Sequence, residues 1–197
     1  VMLDFAKDME KVCPEAWFLN YTNPMAMLTG AMQRHTNVKT VGLCHSVQGC
    51  ATGLLKNLGM ENDVKKLQWK IAGINHMAGL LEVTDGGKDL YPEIKKRAAA
   101  LLKEARKKGA KKNHDMVRLE MMLKFGHYIT ESSEHNAEYS WYWIKSNYPH
   151  LIEEFNIPLD EYPRRCIKQI EEWKKRSAEL TSNPVLDHKR SHEYGSY

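Results

Sequence analysis

The chain has 197 residues, 29 Lys and Arg against 25 Asp and Glu, for a formal net charge of +4. With 42% hydrophobic and 27% charged residues, general disorder is excluded, and the length suits one large domain or two small ones. No apolar run approaches the ~18 residues of a membrane span, so no membrane partner is expected.

Residues 2–12 carry Met2, Phe5, Met9 and Val12 at helical spacing, which predicts an amphipathic helix. It has no basic leader or cleavage site, and it opens on Val1 in mid-pattern, as a piece of a longer chain would. Residues 16–21 form a short apolar run suited to a buried strand, stopped by Asn23-Pro24. Pro24 suits the first turn of a helix over 25–34, with Asn23 as its cap. A second buried strand is predicted over 38–43, then a helix over 46–58 ending at Gly59. This strand–helix–strand–helix rhythm points to a parallel, doubly wound sheet. Beyond Gly59 the pattern changes to strands over 69–74 and 77–84, with a turn at Asp85-Gly86-Gly87. Helices follow over 92–108 and 115–125, separated by a basic linker at 107–112. Residues 128–142 are polar and aromatic without a clean period, and 160–180 form a charged helix with Cys166, Ile170 and Trp173 on its apolar side.

The four cysteines are spaced 31, 6 and 116 residues apart, with no CxxC. That is no disulfide scaffold, and a reducing cytoplasm is the expected location. The excess base at 95–97, 103–112 and 164–176 is interleaved with glutamates on helices, which reads as solvated helix faces and not as a nucleic-acid surface.

Polar residues gather where strands end, at Asn20–Pro24, Gly42–Ser46 and Gly73–His76, and in open α/β sheets ligands collect beyond the carboxyl ends of strands. Cys44 and His76 are competent ligands for a borderline divalent metal. On spacing alone the plainer reading prevails, with Cys44 a packed thiol and His76 a hydrogen-bonded strand-end residue. The segment 130–139 holds Glu131, Glu134, Glu138, His135 and Tyr139, which suits either a site or a helix start with acids favoured by the dipole.

The strings NYTNPMAMLTGAM, VGLCHSVQG, AGINHMAGLLE, FGHYITESSEHNAEY and PLDEYPRRCIKQIEEW occur in that order. Together they resemble the α-galactosidase branch of glycoside hydrolase family 4, from Val1 to the final SHEYGS. The resemblance implies the C-terminal part of a Rossmann-like parallel sheet over 1–60. An α+β substrate domain of the lactate dehydrogenase C-terminal type would follow over 61–197. Family members begin with a glycine-rich phosphate-binding turn, whereas no GxGxxG occurs here. The resemblance therefore implies an internal fragment whose main NAD site lies upstream of Val1.

The same resemblance implies an exception to two-carboxylate glycosidases. NAD⁺ would take hydride from C3 of the galactose ring, a base would remove the acidified C2 proton, and the glycosidic oxygen would leave C1. Water would then add, and the reduced cofactor would return the hydride. Mn²⁺ would bind the C2 and C3 oxygens as a Lewis acid. Cys44 and His76 fall on the metal-ligand positions and Asn23 on a sugar-contacting position. His45 stands where some branches carry an Asp proposed as the general acid. The C2 base corresponds to Glu131 or Glu134. The expected substrate is a small α-galactoside such as melibiose, and the expected assembly a homo-oligomer. The αβ pattern also fits a non-catalytic sugar-binding remnant or a plain NAD-dependent dehydrogenase.

Overall fold

The structure is a computed structural model that describes residues 1–182. Helix α1 spans Met2–Val12, as its apolar spacing predicts. Strand β1 (Trp17–Asn20) and strand β2 (Lys39–Gly42) pair in parallel, Trp17 opposite Lys39 and Asn20 opposite Gly42. Between them runs α2 (Met25–His35), preceded by a cis Asn23–Pro24 bond. Pro24 is the residue just ahead of this helix, while Asn23 Oδ1 accepts the Met25 amide at 3.3 Å, so the cap bond comes from one residue further back than usual. A small cluster of Ala6, Met32 and Val38, flanked by Phe18 and Met9, joins α1 and α2 to the parallel pair.

Helix α3 (His45–Asn57) follows β2 directly. Strands β3 (Leu67–Ala72), β4 (Gly79–Asp85) and β5 (Lys88–Asp89) then form an antiparallel sheet, and β6 (Tyr128–Ile129) pairs with the start of β4. Helices α4 (Tyr91–Ala105) and α5 (Met116–Phe125) cover this sheet. Gly126, in the left-handed region at φ 95, ends α5 and turns the chain into β6. A second and larger core gathers Leu54 and Leu55 of α3, Leu80 and Val83 of β4, Ile94 and Leu102 of α4, and Leu119 and Met122 of α5. Burying each of these side chains contributes on the order of 1.5–3 kcal/mol. Although α3 continues the parallel unit in sequence, its apolar face lies in the core of the antiparallel one.

The α/β class and its order, parallel strands first and an α+β unit after, are those expected. The differences are local. The segment 128–142, aperiodic in sequence, contains β6 and α6 (Ser133–Tyr139), and α7 (His150–Glu154) lies beyond it. Helix α8 (Glu161–Ser182) forms where expected, but its apolar side is exposed, with Cys166, Ile170 and Trp173 all open. No helix among the described residues is long and apolar enough to cross a membrane. The SHEYGS string lies outside the described residues.

Candidate metal centre and active-site cleft

The carboxyl ends of β1 and β2 and the loops after β3 and β6 open onto one cleft of about 700 Å³. Cys44 sits just ahead of the first turn of α3 with extended backbone, its Sγ 2.9 Å from Ser46 Oγ. Gly42, two residues earlier, lets β2 pass close to α2, since a Cβ there would collide with Met25 Sδ. His76 lies in the loop between β3 and β4. Gly73 shapes that loop at φ 136, where a Cβ would stand 2.8 Å from the Ala78 Cα. Glu131 follows β6 and is 6% exposed.

These three side chains meet. His76 Nε2 is 3.2 Å from Glu131 Oε2, and the ligand atoms of Cys44, His76 and Glu131 all lie within 4.8 Å of one another. A divalent ion bonded at ~2.0–2.3 Å holds its donors only a few ångströms apart, so this spacing fits one ion. A thiolate, an imidazole and a carboxylate also balance a divalent charge and leave positions for substrate oxygens. Both His76 (φ 68) and Glu131 (φ 72) adopt left-handed backbone, a conformation that costs a side-chain-bearing residue energy. Two such residues converging on one point mark a site whose surroundings enforce the geometry.

The other candidates are placed unevenly. Asn23 is exposed at the cleft mouth. His45, the first residue of α3, is exposed in the cleft with its ring 4.8 Å from that of Tyr21. Glu134, on α6, is not among the residues lining the cleft. Its Oε1 is buried without a partner, and burial, then Glu161 and Glu138, push its carboxyl above the usual range. Of the two glutamates, Glu131 alone joins Cys44 and His76.

The 130–139 segment singled out in the sequence also supplies His135 and Tyr139, whereas Asp115 and Arg118 escaped the sequence reading. His135 and Tyr139 of α6 frame His76, with His135 edge-on at 5.6 Å and Tyr139 parallel at 6.4 Å. Burial, then Glu138, raise the Tyr139 phenol's pKa. Ser132 caps α6 by accepting the His135 amide at 3.1 Å, and its Oγ also lies 3.0 Å from His135 Nδ1. Asp115 and Arg118, at the start of α5, form the cleft's inner wall. Asp115 is 1% exposed and accepts from Arg118 Nε, the Tyr128 hydroxyl, Ser133 Oγ at 3.0 Å and Asn57 Nδ2 at 3.3 Å. Burial, then Asp115, hold the Tyr128 phenol well above its ordinary pKa, so it stays a donor. The i, i+3 spacing of Asp115 and Arg118 was the available signal, but it reads the same as any surface helix pair.

Residues 1–60 match the family model for the family 4 glycosyl hydrolase, and residues 71–197 match that for the family 4 glycosyl hydrolase C-terminal domain. The chain belongs to glycosyl hydrolase family 4. Across 196 residues this family 4 chain is 63% identical to an alpha-galactosidase of Bacillus subtilis, covering 100% of this chain and 43% of that relative. In fold it is similar to a Bacillus subtilis protein described as a glucosidase, lplD, with a TM-score of 0.71 at 19% identity, covering 92% of this chain and 44% of the other. It is also similar to a 6-phospho-alpha-glucosidase from gut microorganisms solved with NAD and Mn2+, with a TM-score of 0.54 at 22% identity, covering 89% and 42%. The family 4 chain thus spans less than half the length of these relatives.

Proposed function

We propose that the protein carrying this chain hydrolyses terminal α-galactosides such as melibiose, with NAD and Mn²⁺ as cofactors. The observation that carries this reading is the convergence of Cys44, His76 and Glu131 on one point of the cleft, in a chain 63% identical to an alpha-galactosidase. Cys44 and His76 would hold the metal, which supplies Lewis-acid polarisation of sugar oxygens. NAD supplies a reversible hydride acceptor, and its site is assigned to no residue of this chain.

The chain's own residues divide the remaining work. Glu131, beside the metal pair, takes the C2 proton on its carboxylate, and His45 at the start of α3 gives a proton to the departing glycosidic oxygen. Asn23 offers its amide Nδ2 to sugar hydroxyls at the mouth. The two guanidinium groups on the cleft wall each have a carboxylate: Arg118 has Asp115 and Arg165 has Glu161. Neither is left as an uncompensated cation for a sugar phosphate, which suits a neutral glycone. Glu131 has a second reading as third metal donor, favoured by its ligand-range distance to His76 Nε2. Retained Mn²⁺ affinity in Glu131→Gln assigns the base, and lost affinity assigns the ligand. The thiol ligand and free NAD suit a reducing cytoplasm.

The test is turnover of 4-nitrophenyl α-galactoside by the full-length protein in D₂O. Dependence on both NAD⁺ and Mn²⁺, with deuterium at C2 of the released galactose, is the expected result. Hydrolysis that survives chelator and NAD removal and leaves C2 unlabelled overturns the proposal. Net accumulation of NADH without hydrolysis identifies a plain dehydrogenase.

A further inference from the structure

Arg118 is held in place from several sides. Its side chain is 15% exposed. Its Nε donates to the buried Asp115 carboxylate, and its guanidinium carbon lies 4.5 Å from the centroid of the Tyr128 ring. Its backbone amide is fixed as well, donating to Ser133 Oγ at 3.1 Å. These contacts use the Nε–H, one flat face of the guanidinium and the backbone. Among the described residues no hydrogen bond uses its two terminal amino groups, and Arg118 lines the cleft that contains Cys44, His76 and Glu131. A guanidinium fixed on one edge presents a flat pair of parallel donors on the other.

The chemistry of that pair follows from its seat. Asp115 already balances the charge, so an anion gains little from binding there. The fork geometry survives neutralisation, and its natural partner is two acceptor oxygens on adjacent carbons. A structural role alone is satisfied by the Nε bond and the Tyr128 ring, and gives no reason for an unused pair of donors on a residue that lines the cleft. We infer that Arg118 is a substrate-binding residue whose terminal amino groups donate to two neighbouring hydroxyls of the sugar ring. Asp115 and Tyr128 are the positioning residues that aim it. This rests on the α-galactoside reading for the identity of the sugar but not for the existence of the fork.

Calorimetry of the Mn²⁺-loaded full-length protein with galactose and its 2-, 3-, 4- and 6-deoxy forms tests the inference. In the unaltered protein, removal of either hydroxyl of one neighbouring pair should weaken binding about tenfold or more, the scale of a hydrogen bond to a charged donor. Arg118→Lys keeps a cation beside Asp115 but loses the fork. It should weaken galactose by about ten- to a hundredfold and abolish the penalties at that pair, leaving the other deoxy penalties in place. A variant that is destabilised but keeps the unaltered pattern of penalties overturns the inference, because that is what a structural role produces. Should Arg118→Lys fail to fold, the unaltered protein decides alone: no neighbouring pair of penalties overturns the assignment. If a different monosaccharide binds, galactose does not, and Arg118 still governs the penalties, the α-galactoside reading falls and the fork stands.

Discussion

Cys44 and Cys50 are six residues apart on one stretch of chain, yet their chemistry differs completely. Burial pushes the Cys50 thiol up to about 12, which leaves it protonated and inert at neutral pH. Cys44 is half-buried at the cleft, beside a hydroxyl and within ligand range of His76 and Glu131. Cys44→Ser should therefore lower Mn²⁺ affinity by about a hundredfold or more, beyond the usual effect of losing an outer-shell contact. Cys13→Ser and Cys166→Ser, at exposed positions, should leave it unchanged, as titration by electron paramagnetic resonance will show. Glu134 gives a test of sign. Its carboxyl is raised above its ordinary 4.5, first by burial and then by Glu161 and Glu138. Such a group favours folding while protonated: its contribution is complete below 4.5 and is lost as pH rises through the raised value. At pH 7 its charge is a burden, so Glu134→Gln should raise Tm there, and the gain should vanish in melts near pH 4. The sequence exposed Cys44 and His76 through strand-end motifs, but no spacing could bring in Glu131, 55 residues beyond His76, or separate it from Glu134. That choice is made by the left-handed backbone at Glu131 and the pairing of β6 with β4.

Helices long enough to carry a period were legible, as were β1 and β2 from their unbroken apolar runs, but β6 and α6 were not. The apolar spacing of α1 gives both its ends, and α2, α3 and α5 lie within a residue or two of expectation. β6 has two residues and α6 has seven, too few for either period to show. What defines α6 is its cap, since Ser132 accepts the His135 amide and Asn136 donates back to the Ser132 carbonyl at 2.9 Å. Ser132→Ala should cost about 1 kcal/mol of stability. Because that hydroxyl also meets His135 Nδ1, the loss should loosen the edge-on contact of His135 with His76, visible as a changed His135 ring resonance. The amphipathic pattern of α8 was legible as well. Its spacing reports an apolar stripe correctly, but a stripe states nothing about a covering partner, and Ile170 and Trp173 are open to solvent.

Across the residues described, the site lies between two cores of unequal size. The cluster of Ala6, Met32 and Val38 holds the parallel pair, whereas the larger core runs from Cys50 to Ile157. Fewer buried contacts mean cheaper local opening, so amides of β1 and β2 should exchange with deuterium before those of α3, α4 and β4. Leu54→Ala, at a fully buried position of the larger core, should cost about 2–5 kcal/mol. Cys44 closes the parallel unit, and His76 and Glu131 belong to the antiparallel one. An ion held by all three bridges the two cores. Binding the folded state alone, it stabilises by RT ln(1 + [M]/Kd), about 2.7 kcal/mol at a hundredfold excess over Kd. Mn²⁺ should thus raise Tm by calorimetry and slow exchange specifically at the junction of β2 and α3, where the weaker unit gains a tie to the stronger. Both effects should disappear in Cys44→Ser and in His76→Ala. Protection at the junction of β2 and α3 that persists in Cys44→Ser would place the metal elsewhere, because His76 and Glu131 both belong to the antiparallel unit and leave no tie to the parallel one.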